Sequence, residues 1–372
     1  MDEEKEKENE PRFVGIPVIT KGKRVLLHLG DFFIVFILSL LLFHVGVYPL
    51  GRVIVDYPAQ MDSLHVAQTK RDGVLYGMDL LFPVSESATG YEHFEESLAY
   101  TSDQFVHTFV DSSFNQKYNV FANYFVDIYQ EKAEYIDFFK TLDAKTSFFD
   151  FTGEKVALKK EYVDEFAAKY NPDDTMSEKG LVDYQAFEDK IFAQGYSRML
   201  NDIMKRDLVL DGVSYQAQQN IISRVLNDGR MLVVSCAVVS FLLVWLVNHL
   251  LIPTFSKKRK TLAMMLLRTE RIHRNTYEPL SIPMAYIASI YALAGEMLCV
   301  LFVPWGITNF NELFSLPLLF PLALISLAYI LGSLAVTLFD AYNRTLGDLL
   351  CNSYVLTADG FDTLVREKGI KA

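Results

Sequence analysis

Four stretches of this chain are too apolar to rest in water, and they decide what it can fold into. Phe32–Leu50 (FFIVFILSLLLFHVGVYPL) and Met231–Ile252 (MLVVSCAVVSFLLVWLVNHLLI) contain no Lys, Arg, Asp or Glu. The second is about 22 residues long, enough to cross a ~30 Å hydrocarbon core at about 1.5 Å per helical residue. Ile282–Val303 and Leu316–Phe339 are the other two, with Pro317 and Pro321 in the first turns of the last, where a missing amide proton costs least. The run after Phe32 is long for a signal peptide and no small-residue cleavage site closes it, so it reads as a retained helix. The predicted fold is an all-α integral membrane protein with four transmembrane helices.

Charge gives the orientation. Lys21, Lys23 and Arg24 precede the first span; Lys257, Lys258, Arg259, Lys260, Arg268, Arg271 and Arg274 lie between the second and third; Arg344, Arg366, Lys368 and Lys371 follow the fourth. Four crossings put all three groups on one side, which the positive-inside rule makes the cytoplasm. Both termini are then cytoplasmic, in a bacterial plasma membrane. The predicted divisions are an acidic tail (1–20), the first helix with its basic flank (21–52), an extracytoplasmic domain (53–230), the second helix (231–252), a basic loop (253–281), the third helix (282–304), a short external turn (305–315), the fourth helix (316–339) and a cytoplasmic tail (340–372).

The long segment between the first two spans is acidic and patterned like a folded domain. Arg52–Arg230 holds 18 Lys and Arg against 30 Asp and Glu, so no basic face exists to neutralise the phosphates of a nucleic acid. Tyr118, Phe121, Phe125, Ile128, Tyr135 and Phe138 recur at helical steps, as do Tyr184, Phe187, Ile191, Met199 and Ile203. Gly153 and Asn171-Pro172 mark turns, Phe148–Leu158 suggests a hairpin, and Ser214–Asn227 reads as a helix running into the second span. A mostly helical extracytoplasmic domain is expected.

The membrane part resembles the RDD family of bacterial membrane proteins, named for one arginine and two aspartates. Arg24-VLLHLG-Asp31 opens the first helix and Arg344-TLG-Asp348-LLCNS follows the fourth, in the family's spacing. The chain departs from the family at Thr261-LAMMLL, where glycine and lysine are replaced by Ala263 and Met264, and in its domain-sized insertion. The resemblance implies a shared scaffold; Arg24, Asp31, Arg344 and Asp348 form an expected cluster at the cytoplasmic rim, a lock tying the first helix to the segment after the fourth or, less favoured, a cation gate.

Glu296 is the one acid inside an apolar run, about 20 Å along a helix from Pro283. A carboxylate there must be paired, hydrated or protonated, which makes it the candidate intramembrane ionisable site. His44 and His249, near opposite ends of their spans, read as interfacial or packing residues, and Trp245 and Trp305 as belt residues. Cys236, Cys299 and Cys351 lie in or beside apolar runs, as core thiols do.

No enzyme motif stands in the chain: no HExxH, GxSxG, Walker loop or CxxC pair. Tyr91–Glu96 with His107 reads as a solvated helix face, and Asn171–Asp183 lacks the register of a calcium loop. No enzyme activity, cofactor or metal is expected. The favoured function is an anchored sensor, scaffold or regulator whose external domain binds an envelope partner or ligand. The alternative is ion or small-solute permeation through Glu296, with the lipid bilayer, a second copy of the chain and an envelope protein as the partners considered.

Overall fold

The computed structural model describes residues 18–85, 91–111, 132–143, 147–153, 156–170, 176–304, 306–307 and 319–368. The helix face from Tyr118 to Ile128, the Asn171-Pro172 turn, Trp305, Pro317, Lys371 and the acidic tail lie outside them. In chain order the elements are α1 (Lys21–Ile54), α2 (Tyr57–Gly77), α3 (Phe94–Val110), α4 (Lys132–Asp143), β1 (Phe149–Asp150), β2 (Ala157–Leu158), α5 (Lys160–Ala167), α6 (Glu178–Asp189), α7 (Ser197–Lys205), β3 (Val209–Leu210), β4 (Val213–Ser214), α8 (Tyr215–Phe255), α9 (Leu262–Leu266), β5 (Thr269–His273), α10 (Ile282–Glu296), α11 (Cys299–Phe302), α12 (Leu319–Phe339), α13 (Leu346–Leu350), β6 (Ser353–Thr357) and α14 (Ala358–Lys368). The chain divides into two units, residues 1–57 with 228–372, and residues 58–227.

Three helices among the described residues are long and apolar enough to cross a membrane: α1 and α12, in the first unit, and α8, which begins in the second and runs into the first; they have 34, 21 and 41 residues. They carry large apolar side chains outward, among them Phe33, Ile37 and Leu41 on α1 and Leu324, Ile325 and Leu331 on α12. A belt of that size is costly in water and at home in lipid. The third apolar run differs from expectation. Its helix, α10, has 15 residues, and the ladder then tightens, with Val300 N–H bonding Met297 C=O and Leu301 N–H bonding Leu298 C=O across three residues instead of four. The stretch thus continues as the one-turn α11 instead of a single straight rod.

Two prolines shape the long helices. Pro49 and Pro253 each follow a π-helical turn, Phe43–Val47 and Val247–Leu251. A proline inside a helix removes an amide proton and crowds the carbonyl four residues back. For Pro253 that carbonyl is His249's, and Ser289 Oγ on α10 donates to it at 2.9 Å.

Among the described residues, three small antiparallel sheets accompany the helices of this mostly helical chain. β1 pairs with β2, at the predicted hairpin, and β3 with β4 around Asp211-Gly212. The third sheet joins distant segments: β5, from the basic loop, runs antiparallel to β6, from the tail, with Thr269 opposite Thr357 and His273 opposite Ser353. Ile272, Tyr354 and Leu356 are buried between this ribbon and Phe361 and Leu364 of α14. Val18 bridges to Leu356, and Asn343 Nδ2 donates to Ile19 C=O at 2.8 Å. Residues 18–24, the 257–274 loop and the tail after α12 therefore meet at one end of the helices.

The second unit closes on its own aromatic core. Phe139 of α4, Phe149 of β1, Phe187 of α6 and Phe166 of α5 pack edge to face or tilted, with ring centroids 5.1 to 5.5 Å apart in that order, and Phe105 of α3 lies edge-on to Tyr196 at 5.9 Å. The predicted face of Tyr184, Phe187, Ile191, Met199 and Ile203 is buried throughout. Asp143 caps the β1 turn, accepting from Phe148 N–H at 2.7 Å and Phe149 N–H at 3.2 Å.

Candidate functional site

The charged residues singled out in the sequence resolve into three groups within the first unit. Arg24, in the first turn of α1, meets Asp348 on α13; their exposures of 1% and 2% mark a pair without solvent. Such a pair is costly unless every remaining hydrogen-bonding position is filled. Much of that requirement is met here. Arg24 Nη2 reaches Thr345 Oγ1 at 3.3 Å, Ser353 Oγ donates to Asp348 Oδ1 at 3.2 Å, and Arg271 of β5 stands 3.4 Å from the same oxygen. Thr345 and Asp348 form a reciprocal capping box at the start of α13, with Thr345 N–H donating to Asp348 Oδ2 at 3.0 Å and Asp348 N–H donating to Thr345 Oγ1 at 3.2 Å. Burial pushes the Asp348 carboxyl up, but Arg24, Arg271 and the Thr345 donors outweigh it and hold the carboxyl well below the usual carboxylate range.

The other two charged residues of the expected cluster bond elsewhere. Arg344 turns back to Asp340, four residues earlier, and binds it with Nε at 3.1 Å and Nη2 at 2.8 Å while lying against the Tyr342 and Tyr354 rings. The Arg344 backbone N–H also donates to Asp340 Oδ2 at 3.0 Å, so the turn after α12 itself holds the two together for a bidentate bond. Asp31 accepts from Asn248 Nδ2 at 3.4 Å. Of the expected four-residue cluster, Arg24 and Asp348 are in direct contact, while Asp31 and Arg344 make their hydrogen bonds elsewhere and reach Arg24 and Asp348 through charge alone.

Glu296 is buried at the last residue of α10 and both its oxygens face His249 Nε2, at 3.0 and 2.9 Å. Here the sequence reading of His249 as interfacial or packing fails. His249 is 3% exposed and belongs to the π turn before Pro253, which aims it and Asn248 inward together. Thr254, five residues after His249, bonds the hydroxyl of Tyr286 on α10 at 2.7 Å.

The pair continues into a polar chain. Leu262 N–H donates to Asn248 Oδ1 at 3.1 Å, which fixes the amide with Nδ2 toward Asp31 and His249, the latter at 3.2 Å. A histidine Nε2 carries one proton or one lone pair. It cannot donate to Glu296 and accept from Asn248 together. The two arrangements of this network differ by the position of a single proton, which is the chemical capacity of the site.

Family models, curated proteins and solved structures were compared with the chain, and nothing matches. The site is read on its geometry alone.

Elsewhere the sequence candidates are ordinary. His93 pairs with Glu96 at 3.2 Å on the surface, and the His107 ring lies 4.1 Å from that of Tyr170. Among the described residues no three His, Cys, Asp or Glu side chains converge as metal ligands would. Cys236, Cys299 and Cys351 are buried free thiols. His44 stacks edge-on to Phe43 at 5.0 Å, and Trp245 lies over His249 at 5.7 Å.

Proposed function

We propose that this chain is a four-span, RDD-like protein of the bacterial plasma membrane whose Glu296–His249 pair exchanges protons during passage of an ion or small solute. The observation that carries the reading is the continuous Asp31–Asn248–His249–Glu296 chain. It gives Glu296 the second titratable group that the sequence alone lacked. Buried ionisable residues in apolar helices are expensive to keep, and proton relays are a common reason for keeping them.

The four-span topology has geometric support. Residues 18–24, the loop bearing β5 and the tail bearing β6 hydrogen-bond to one another. A chain that leaves that end along α1, returns along α8 and returns again along α12 requires one more crossing between β5 and α12. The α10–α11 stretch is the apolar segment available for it. Lys257–Lys260 and Arg344 then face the cytoplasm with both termini, and Pro58–Asn227 lies outside.

Purified protein in proteoliposomes tests the function. Glu296→Gln should remove proton-coupled uptake of monovalent cations, read with an internal pH dye, while a chain lacking Pro58–Asn227 retains part of it. Uptake unchanged in Glu296→Gln defeats the proposal.

A second reading has one observation in its favour: residues 58–227 carry an aromatic core independent of the membrane part. Under it the chain is an anchored sensor, scaffold or regulator, and the acidic unit binds an envelope partner. Loss of the cellular phenotype on deleting that unit, with Glu296→Gln silent, selects this reading.

A further inference from the structure

The backbone from Ile252 to His273 is repeated, residue for residue, from Val336 to Thr357. α8 and α12 end in the same turn. Ser256 N–H bonds Ile252 C=O at 2.9 Å, as Asp340 N–H bonds Val336 C=O at 2.8 Å. Arg259 N–H then bonds Ser256 C=O at 3.1 Å, as Asn343 N–H bonds Asp340 C=O at 3.2 Å. Thr261 and Thr345 cap the five-residue helices α9 and α13, accepting from Met264 N–H at 3.3 Å and Asp348 N–H at 3.2 Å. Arg259 and Asn343 have φ of 53° and 54°, and Arg268 and Asn352 have 49° and 48°. Positive φ is uncommon outside glycine, so its recurrence at both matching places marks one unit used twice.

The match extends to the ribbon and to the helices before each unit. Val18, two residues before the α1 cap Thr20, bridges Leu356; Pro279, two residues before the α10 cap Ser281, bridges Ile272, the counterpart of Leu356. α1 passes close to α9, where a Cβ on Gly30 would stand 3.3 Å from that of Ala263. α10 passes α13 in the same way, where a Cβ on Gly347 would stand 3.4 Å from that of Tyr291. At the centre of the ribbon Arg271 faces Val355, and Thr269 opposite Thr357 answers to Ser353 opposite His273. Contacts in which each side meets the other's counterpart are those of a two-fold axis. The first half is α1, α8, α9 and β5, interrupted by residues 58–227; the second is α10 with α11, α12, α13 and β6.

Both buried pairs described above cross between the halves: Arg24 of the first meets Asp348 of the second, and His249 of the first meets Glu296 of the second. The ribbon, the Arg24–Asp348 pair and the Asn343–Ile19 bond fasten the halves at one end. Farther along, α1 meets α11 through rings, with Phe36 and Phe302 centroids 6.4 Å apart. A cavity of about 160 Å³ also lies between α1 and the second half's α10 and α12. Packed interiors seldom leave such space, and an apolar seam has no directed bonds to fix its register. The groups within electric reach of the His249–Glu296 pair are Asp31 and His28 of α1, Arg271 of β5 and Cys299 of α11, and Asn248 bonds His249 directly.

We propose that the two halves rock against each other about the β5–β6 ribbon, parting at their far ends when the proton balance of the His249–Glu296 pair changes. Membrane proteins built from repeats about a common axis carry their sites between the repeats and move in this manner. The trigger rests on the proton-exchange reading; the motion is measured without it.

Double electron–electron resonance between spin labels in nanodiscs tests the motion at about pH 5 and about pH 8, which bracket histidine titration. Ile54→Cys with Leu324→Cys spans the halves toward their far ends, Phe255→Cys with Phe339→Cys spans them beside the ribbon, and Ile54→Cys with Met231→Cys lies within the first half. All five side chains are exposed, so a label needs no interior space. The native thiols are buried, and the unsubstituted chain taken through labelling gives the background. The Ile54–Leu324 pair should gain a second, longer distance at one pH, while the other two pairs keep one distance at both. Glu296→Gln should hold Ile54–Leu324 at a single distance throughout. An Ile54–Leu324 distance that is the same at both pH values, a control pair that shifts with it, or a Glu296→Gln chain that still switches would each overturn the proposal. Uptake lost in Glu296→Gln with every distance unchanged would defeat the rocking and spare proton exchange; switching distances without uptake would do the reverse.

Discussion

Arg24 and Asp348 stand 324 positions apart in the chain and meet in a pair that water does not reach. Their contact ties the start of α1 to the helix after α12. Removal of one partner leaves the other charge buried and unmatched, which costs about 3–5 kcal/mol. Arg24→Ala and Asp348→Ala should each lower the melting temperature in detergent sharply. The double variant should lie above the sum of the two losses. Additive losses would show that the pair is not coupled.

The same pair gives an acid limit. Because the Asp348 carboxyl is held below its ordinary value in the folded protein, its contribution is fully present above about pH 4, the unfolded value. It is lost as pH falls from there toward the lower folded value, since the unfolded chain then binds the extra proton. Melting curves from pH 6 downward should show a loss confined to this range. In Asp348→Asn that part of the acid dependence should disappear.

Thr345 caps α13 and also contacts Arg24. Thr345→Val keeps the volume and removes the cap, and should cost about 1–2 kcal/mol. Thr345→Ser should recover most of it.

Much of the bundle was legible because lipid imposes its requirement on composition: long uncharged runs and clustered flanking cations read directly as α1, α8 and α12. Arg24 and Asp348 stood out for the same reason, as charges beside apolar helices in a recognisable spacing. Pairings made only in three dimensions were hidden. Nothing local marks His249 as the partner of Glu296, 47 positions away, because the π turn before Pro253 decides its direction. The direct partner of Arg344 was not legible either: Asp340, four residues earlier, takes both its hydrogen bonds, and Asp348 acts on it through charge alone. The β5–β6 ribbon also escaped notice: TERIH is a polar run in a basic loop, and only SYVLT across from it gives it an apolar side to cover.

The aromatic core of residues 58–227 makes a further prediction. That segment expressed alone should unfold cooperatively in urea, and Phe187→Ala, which deletes a ring at 0% exposure, should cost about 3–5 kcal/mol. A gradual, non-cooperative melt would show that the unit depends on the membrane part.

Topology is open to direct labelling. Cysteines introduced by Lys258→Cys and Glu178→Cys should differ in intact cells: a membrane-impermeant maleimide should modify the second and spare the first until the cells are lysed. The reverse pattern would invert the orientation.

The β5–β6 ribbon also sets a schedule for assembly. Arg24 is made hundreds of residues before Asp348 exists, and β5 waits for β6 in the same way. Until the segment after α12 leaves the ribosome, the guanidinium lacks its carboxylate and this end of the first unit stays unfastened. A chain cut short before Asp348 therefore keeps α1, α8 and α12 and lacks the contact that closes them.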